Sequence, residues 1–405
     1  MSKWKEILTP TVIVAGLGYF VDLFDLTLFG VVRLPSLEAL GLTHTEGQLG
    51  AGIRLYNLQM LGMMAGGILW GLMADKKGRV KVLFGSIFLY SAGNIANAFV
   101  PDLFWYGVCR FLTGVGLAGE LGAGVALVAE TLPKEKRGLG TTFVAALGMA
   151  GAVTAAIVGQ RLEWNHAYIL GGVLGIGLLF ARLRVMESSM FQRAVAKGAK
   201  LGSPALLFES NRLWRYLACI LMGLPIYFST GVLMTFAPEI ARYLGVEEPV
   251  LAGTALLFGT VGLTVGDVFS GLLSQILKSR RKAVFTSLVM GFFAFLAYVA
   301  NPGWTASEIY FICFCLGFAG GYWAVLITMA AEQFGTNLRG SVASTVPNFV
   351  RGSAVLITLS FVTLKEQMQV ERAILLVGLA CFTIAAFAVF TLRETFGHDL
   401  DYLEE

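Results

Sequence analysis

Residues 66–81 read GGILWGLMADKKGRVK, and residues 266–281 read GDVFSGLLSQILKSRR. Gly66, Gly71 and Leu72 of the first stretch recur as Gly266, Gly271 and Leu272 of the second, an offset of 200. Further on, AETLPKEKRG at 129–138 aligns with AEQFGTNLRG at 331–340, an offset of 202. Two anchors at nearly one offset indicate two half-copies of one element order, arranged in parallel.

The composition sets the solvent around those halves. Of 405 residues, 56% are hydrophobic and 14% are charged, against ~25% charged in a soluble chain. The 49 glycines suit helices that approach closely in lipid. Twelve apolar stretches of spanning length emerge, at approximately 10–33, 47–74, 80–99, 102–130, 138–160, 165–185, 213–241, 249–276, 283–300, 305–332, 341–363 and 371–392. The expected fold is therefore all-α and polytopic. Residues 1–185 form an N-terminal six-helix bundle, 186–212 a cytoplasmic linker, and 213–405 a C-terminal six-helix bundle with a short tail. The N-terminus begins like a signal peptide but lacks a small-residue cleavage site, so it reads as a retained first helix. Most of the 30 lysines and arginines fall in the loops on one side. The positive-inside rule places that side, both termini included, in the cytoplasm, for a multi-pass protein of the plasma (inner) membrane. The five cysteines lie in apolar segments without a CxxC, and the three histidines are far apart. Core thiols and no metal set are the expectation.

GLMADKKGRVK resembles the signature G-x3-D-[RK]-x-G-[RK]-x-[RK] of the major facilitator superfamily, through Gly71, Asp75, Lys76, Gly78, Arg79 and Lys81. CRFLTGVGLAGE is similar to the family's helix-4 pattern through Arg110, Gly114 and Gly116, with Ala118 at the last glycine. AETLPKEKRG resembles its E-x2-P-x3-R-G loop through Glu130, Pro133, Arg137 and Gly138, and RETFG its E-T-x-G ending. Within the superfamily, GYFVDLFDLTLFG and GLAGELGAGVALVAE look most like the metabolite and sialate proton symporters. The resemblance implies alternating access by two six-helix bundles, no cofactor, and H+ as coupling ion, with Na+ as the alternative.

Asp22 and Asp25 are three residues apart, so they share one face of the first helix. Facing lipid, each would cost ~2.5–3.5 kcal/mol, so they must face the bundle, a cavity or a cation. Counting ~1.5 Å per residue from the outer ends of helices 1, 2 and 4, Asp25, Arg54 and Arg110 fall roughly 11–13 Å deep. These charges are the candidate proton-coupling set; a buried structural salt bridge is the competing reading. The resemblance implies that Asp25 pairs with Arg110, as the equivalent residues do in proton-linked sugar members. In the other half, Arg351 lies near the bilayer midplane. An intramembrane arginine is a candidate for an anionic substrate; pairing with a helix-end carbonyl or an acid is the alternative. Asn348 and Tyr227 could add hydrogen bonds there, and Asn57 shares a helix face with Arg54.

Gly71, Asp75, Gly78, Arg79, Glu130 and Arg137 read as a conformational latch, with Asp267 as a displaced copy in the second half. Gln275 stands where Asp75 would repeat. The sequence thus predicts a symporter of a small organic anion, a monomer surrounded by lipid. A proton-coupled exporter of amphipathic compounds, a facilitator, and a non-transporting receptor on the same fold are the other readings. No nucleotide motif, metal cluster or catalytic triad supports an enzyme, and the net charge of +4 follows loop topology rather than nucleic-acid binding.

Overall fold

Long apolar runs separated by short polar loops predict helices, and the computed structural model is helical with no strand among its described residues, 9–77, 79–131, 137–182, 210–300 and 303–397. The chain separates into two compact units, Met1–Leu201 and Gly202–Glu405. Among the described residues, eight helical stretches are long and apolar enough to cross a membrane by length and composition.

Among the described residues, unit 1 holds six helices: α1 (Pro10–Ala39), α2 (Thr45–Lys77), α3 (Arg79–Asn97), α4 (Leu103–Thr131), α5 (Arg137–Arg161) and α6 (Trp164–Arg182). Thr9 caps α1 by accepting from the Val12 N–H at 3.4 Å, and Pro10 starts the helix, where its missing N–H costs nothing. α1 continues to Ala39, beyond the expected exit near residue 33. Glycines bring α2 onto α4. A Cβ on Gly62 would collide with the Phe111 carbonyl, one on Gly66 with the Val115 carbonyl, and one on Gly114 with the Gln59 carbonyl. Such close approach maximises dispersion contact between helices, which lipid does not otherwise drive together. It also fixes Gln59 of α2 beside the Arg110 turn of α4.

Unit 2 repeats this crossing. Its helices are α7 (Ser210–Leu221), α8 (Leu224–Phe228), α9 (Ala237–Tyr243), α10 (Ala252–Ile276), α11 (Arg280–Ala300), α12 (Ala306–Gly320), α13 (Trp323–Glu332), α14 (Thr336–Lys365) and α15 (Val370–Thr391). A π-helical turn, Ser229–Met234, joins α8 towards α9. Gly262 lies on the Phe314 carbonyl, Gly266 on that of Phe318, and Gly317 on that of Gly259. Gly62 and Gly66 thus reappear 200 residues later in the same packing role.

Two spans expected to be continuous, 213–241 and 305–332, are instead broken. The seventh turns at Met222–Gly223 before Pro225 and winds through the π turn, where the Thr235 N–H reaches back to the Thr230 carbonyl at 3.1 Å. The tenth breaks at Gly320–Gly321. The backbone polar groups freed at such breaks must find partners in lipid. Tyr322 OH donates to the Met222 carbonyl at 2.8 Å and Ser270 Oγ to the Gly321 carbonyl at 2.6 Å. The first of these bonds ties the two breaks to each other.

Candidate functional site

In unit 1 the Asp25 carboxylate is fully buried on α1. Gln59 Nε2 donates to Asp25 Oδ2 at 3.1 Å, while Gln59 Oε1 accepts from Arg110 Nη2. Arg110 Nη2 lies 3.7 Å from Asp25 Oδ2, and both side chains are 0% exposed. Gln59 therefore bridges acid and base with its two ends. The Arg110 guanidinium also lies 4.6 Å from the Phe29 ring centroid and 5.8 Å from that of Tyr168, cation–π contacts that retain the charge in an apolar surround. A tyrosine pair closes this end of the cluster: Tyr106 OH meets Tyr168 OH at 2.7 Å and Ser36 Oγ at 3.0 Å.

The structure gathers Asp25 and Arg110, and it leaves Arg54 out. Arg54 is exposed, and its Nε donates to the Gly50 carbonyl one turn back on its own helix, at 3.3 Å. Equal depth did not imply an equal face. Asn57 is buried on α2, yet the α2 residue that bonds to Asp25 is Gln59, which sequence reasoning missed. Asp22 is also fully buried. One turn before it, a Cβ on Gly18 would collide with Arg182 Nη2 and lie 2.7 Å from Glu120 Oε2. Those two groups form a second buried ion pair, with Arg182 Nη2 to Glu120 Oε2 at 2.7 Å and Nη1 to Oε1 at 3.1 Å.

In unit 2 Arg351 is 1% exposed on α14. Its Nε donates to Tyr227 OH at 3.1 Å, and its guanidinium lies 6.0 Å from the Trp323 ring centroid. Tyr227 and Trp323 meet edge to face at 6.0 Å. The structure thus brings Arg351 and Tyr227 together. Asn348, buried one turn earlier, donates to the Ser344 carbonyl of its own helix at 3.1 Å. Trp323 was missed; its signal was the Gly320–Gly321 pair, which ends one half-helix and makes Trp323 the first residue of the next. Asp267, read as a displaced latch, has a different task. Its Oδ1 accepts the Ala324 N–H at 3.1 Å and so caps the first turn of α13.

Of the latch residues, Gly71 lies within α2. Gly78 and the side chains of Asp75, Arg79, Glu130 and Arg137 lie outside the described residues. Unit 2 has a clamp built on RETFG. Glu394 accepts from Ser279 Oγ and from the N–H groups of Arg280 at 2.9 Å and Arg281 at 3.3 Å, capping α11. Glu332 pairs with Arg280 at 3.4 Å and accepts from Thr395 Oγ1 at 2.6 Å.

The family model of the Major Facilitator Superfamily matches residues 15–359. The chain belongs to the Major Facilitator Superfamily. It is an integral, multi-pass membrane transporter and not an enzyme. Among curated relatives, the niacin transporter NiaP of Acinetobacter baylyi is 24% identical over 426 residues, covering 96% of this chain and 94% of the relative. The 3-(3-hydroxy-phenyl)propionate transporter of Escherichia coli K12 is 26% identical over 345 residues, covering 76% and 84%. Among solved structures, a D-xylose-proton symporter superposes with a TM-score of 0.72 at 16% identity, covering 96% of this chain and 99% of that one. That likeness fixes the twelve-span superfamily fold, with spans seven and ten of this chain each made of several shorter pieces.

Proposed function

We propose that this superfamily member is a proton-coupled symporter of a small organic anion, and that the anion is an aromatic or cyclic carboxylate. The observation that carries the reading is a buried arginine framed by two aromatic rings, Arg351 with Tyr227 and Trp323. A guanidinium presents a planar fork to a carboxylate, and a ring attached to that carboxylate would meet Trp323 and Tyr227 edge-on or offset. The names of the two relatives support this class, since niacin and 3-(3-hydroxyphenyl)propionate each join a carboxylate to an aromatic ring. Coupling is assigned to unit 1. Arg110 and Gln59 stabilise the ionised form of Asp25, and a change in their spacing lets the carboxyl take a proton, whose neutral form crosses low dielectric more cheaply. The coupling ion in this reading is H+, and the basic loops and both termini face the cytoplasm.

A thermal-shift panel tests the substrate assignment. Purified protein is heated with benzoate, niacin, nicotinamide and hexanoate. A ligand at 100 times its Kd stabilises by ~2.7 kcal/mol. Benzoate or niacin should raise the Tm, nicotinamide should not, and Arg351→Ala should abolish the shift. Equal stabilisation by the uncharged amide, or a shift that survives Arg351→Ala, contradicts the assignment.

A further inference from the structure

α3 carries a polar row along its buried face: Ser86, Tyr90, Ser91, Asn94 and Asn97, each at most 2% exposed. At ~1.5 Å per residue the row runs about 16 Å along the helix. Towards its outer end, Asn94 faces the Asp25 carboxylate. At its inner end, Ser86 Oγ donates to Glu120 Oε1 at 3.1 Å. Between them Tyr90 stands within electrostatic reach of Asp25, Asp22 and Glu120, and its hydroxyl donates to the Gly171 carbonyl at 2.9 Å. Three acids on α1 and α4 therefore follow one polar row on α3.

Glycines keep room along that row. A Cβ on Gly175 of α6 would collide with both Ser91 Oγ and Tyr90 OH, and one on Gly18 of α1 with the Glu120–Arg182 pair. Asn94 is buried against the Asp25 carboxylate and Ser91 against the Tyr90 hydroxyl, so the polar side chains of the row follow one another from Asp25 inward. Donors and acceptors spaced between carboxylates are the chemistry of proton transfer, directly or through water.

We propose that this seam carries the coupling proton from Asp25 towards Glu120 inside unit 1, so that proton and substrate follow separate routes. The inference rests on the Asp25 switch described above. The proton leaves the Asp25 carboxyl, whose carboxylate Gln59 and Arg110 then hold. It passes through water hydrogen-bonded to Asn94, then Asp22 and the Tyr90–Ser91 turn, and arrives on a Glu120 oxygen, which gives up one bond to Arg182. Its release from Glu120 towards the basic-loop end restores the bidentate pair. Among the described residues, the charged and titratable groups placed against Glu120 are Arg182 from α6 and Tyr90 from α3, and α2 presents Trp70 against neighbouring Gly119. Around Asp25 they are Arg110 from α4 and Tyr90 from α3, with Tyr168 from α6. Arg182 is the fixed charge of the inner station, as Arg110 is of the outer one.

Infrared difference titration of the full chain in lipid, from about pH 4 to pH 9, reads the carboxyls without a substrate. Wild type should show protonated-carboxyl bands that Asp25→Asn and Glu120→Gln each remove. Glu120→Asp should move the second band rather than remove it, which keeps the test alive if Glu120→Gln does not fold. After a pH jump applied from the Asp25 side, Asn94→Leu should slow protonation of Glu120 at least about tenfold. If Glu120 stays ionised throughout and Glu120→Gln alters no titrating band, the pair is structural and the seam is wrong, while the Asp25 switch stands. If Asp25→Asn removes no titrating band, the switch itself falls and the seam with it. An unchanged rate in Asn94→Leu overturns the seam alone.

Discussion

In unit 1 the glycine crossing of α2 and α4 ends beside Asp25, Gln59 and Arg110; in unit 2 the matching crossing of α10 and α12 ends at a broken helix beside Trp323, Tyr227 and Arg351. The frames are the same and the contents are not. Unit 1 keeps its helices whole and buries acids against arginines. Unit 2 breaks two spans and buries an arginine among aromatic rings. The repeat supplies close helix contact, and the local departures from it assign the work. An acid–base pair suits a group that changes protonation, whereas an arginine framed by rings suits an anion with a ring.

The largest expected effect tests the aromatic side of that contrast. Arg351→Ala should weaken carboxylate binding by about 10²- to 10³-fold, within the ~2–5 kcal/mol typical of a truncated buried charge contact. Arg351→Lys should retain part of it, having lost the planar fork. Isothermal titration of both variants would show whether the charge or the fork matters more. Gly62→Val and Gly262→Val probe the shared frame. Each adds atoms where a helix carbonyl already stands, so each should lose about 1–3 kcal/mol, read as a lower Tm in detergent. A large loss in one and none in the other would break the equivalence of the two crossings.

A smaller effect is expected at the RETFG clamp. Burial alone would raise the Glu394 carboxyl, but hydrogen bonds from Ser279 and from the N–H groups of Phe396, Arg280 and Arg281 outweigh it and hold the group below its ordinary value of 4.5. Its contribution is therefore complete above that value and is lost as the pH falls through the lower folded-state value. Glu394→Gln should cost about 0.5–2 kcal/mol near neutrality, as for a lost helix cap, and should flatten the acid limb of a Tm-against-pH curve. Least of all, Arg54→Gln should leave pH-driven accumulation within about twofold, because Arg54 bonds only to its own helix in the hydrogen bonds described and a single exposed bond contributes ~1 kcal/mol or less.

Much of the frame was legible. Gly66 and Gly266 announced the repeat because only a residue without Cβ lets backbones touch. Depth along the helices put Asp25 and Arg110 at one level, and the resemblance to proton-linked sugar members singled them out as a pair. Depth says nothing of rotation, so Arg54 passed the same arithmetic and points elsewhere. Gln59 was illegible because a glutamine in a span has many ways to be satisfied. The breaks at Gly223 and Gly321 were hidden among 49 glycines, most of which need no break. Trp323 became significant only once the break made it the first residue of α13. Asp267 misled because its place near the inner end of its helix suggested a displaced copy of the latch, while its carboxylate caps a helix inside the unit.

The division of labour between the units is tested most directly at Asp25. One proteoliposome preparation of Asp25→Asn, which keeps the shape of a protonated carboxyl, would be assayed for substrate counterflow and for accumulation driven by a pH gradient. Counterflow should persist near the wild-type rate, because the Arg351 site is untouched, and the accumulation ratio should fall to about 1, as for a transporter that has lost its coupling ion. Accumulation that survives in Asp25→Asn, or counterflow lost together with it, would contradict the assignment of the proton to unit 1 and of the substrate to unit 2.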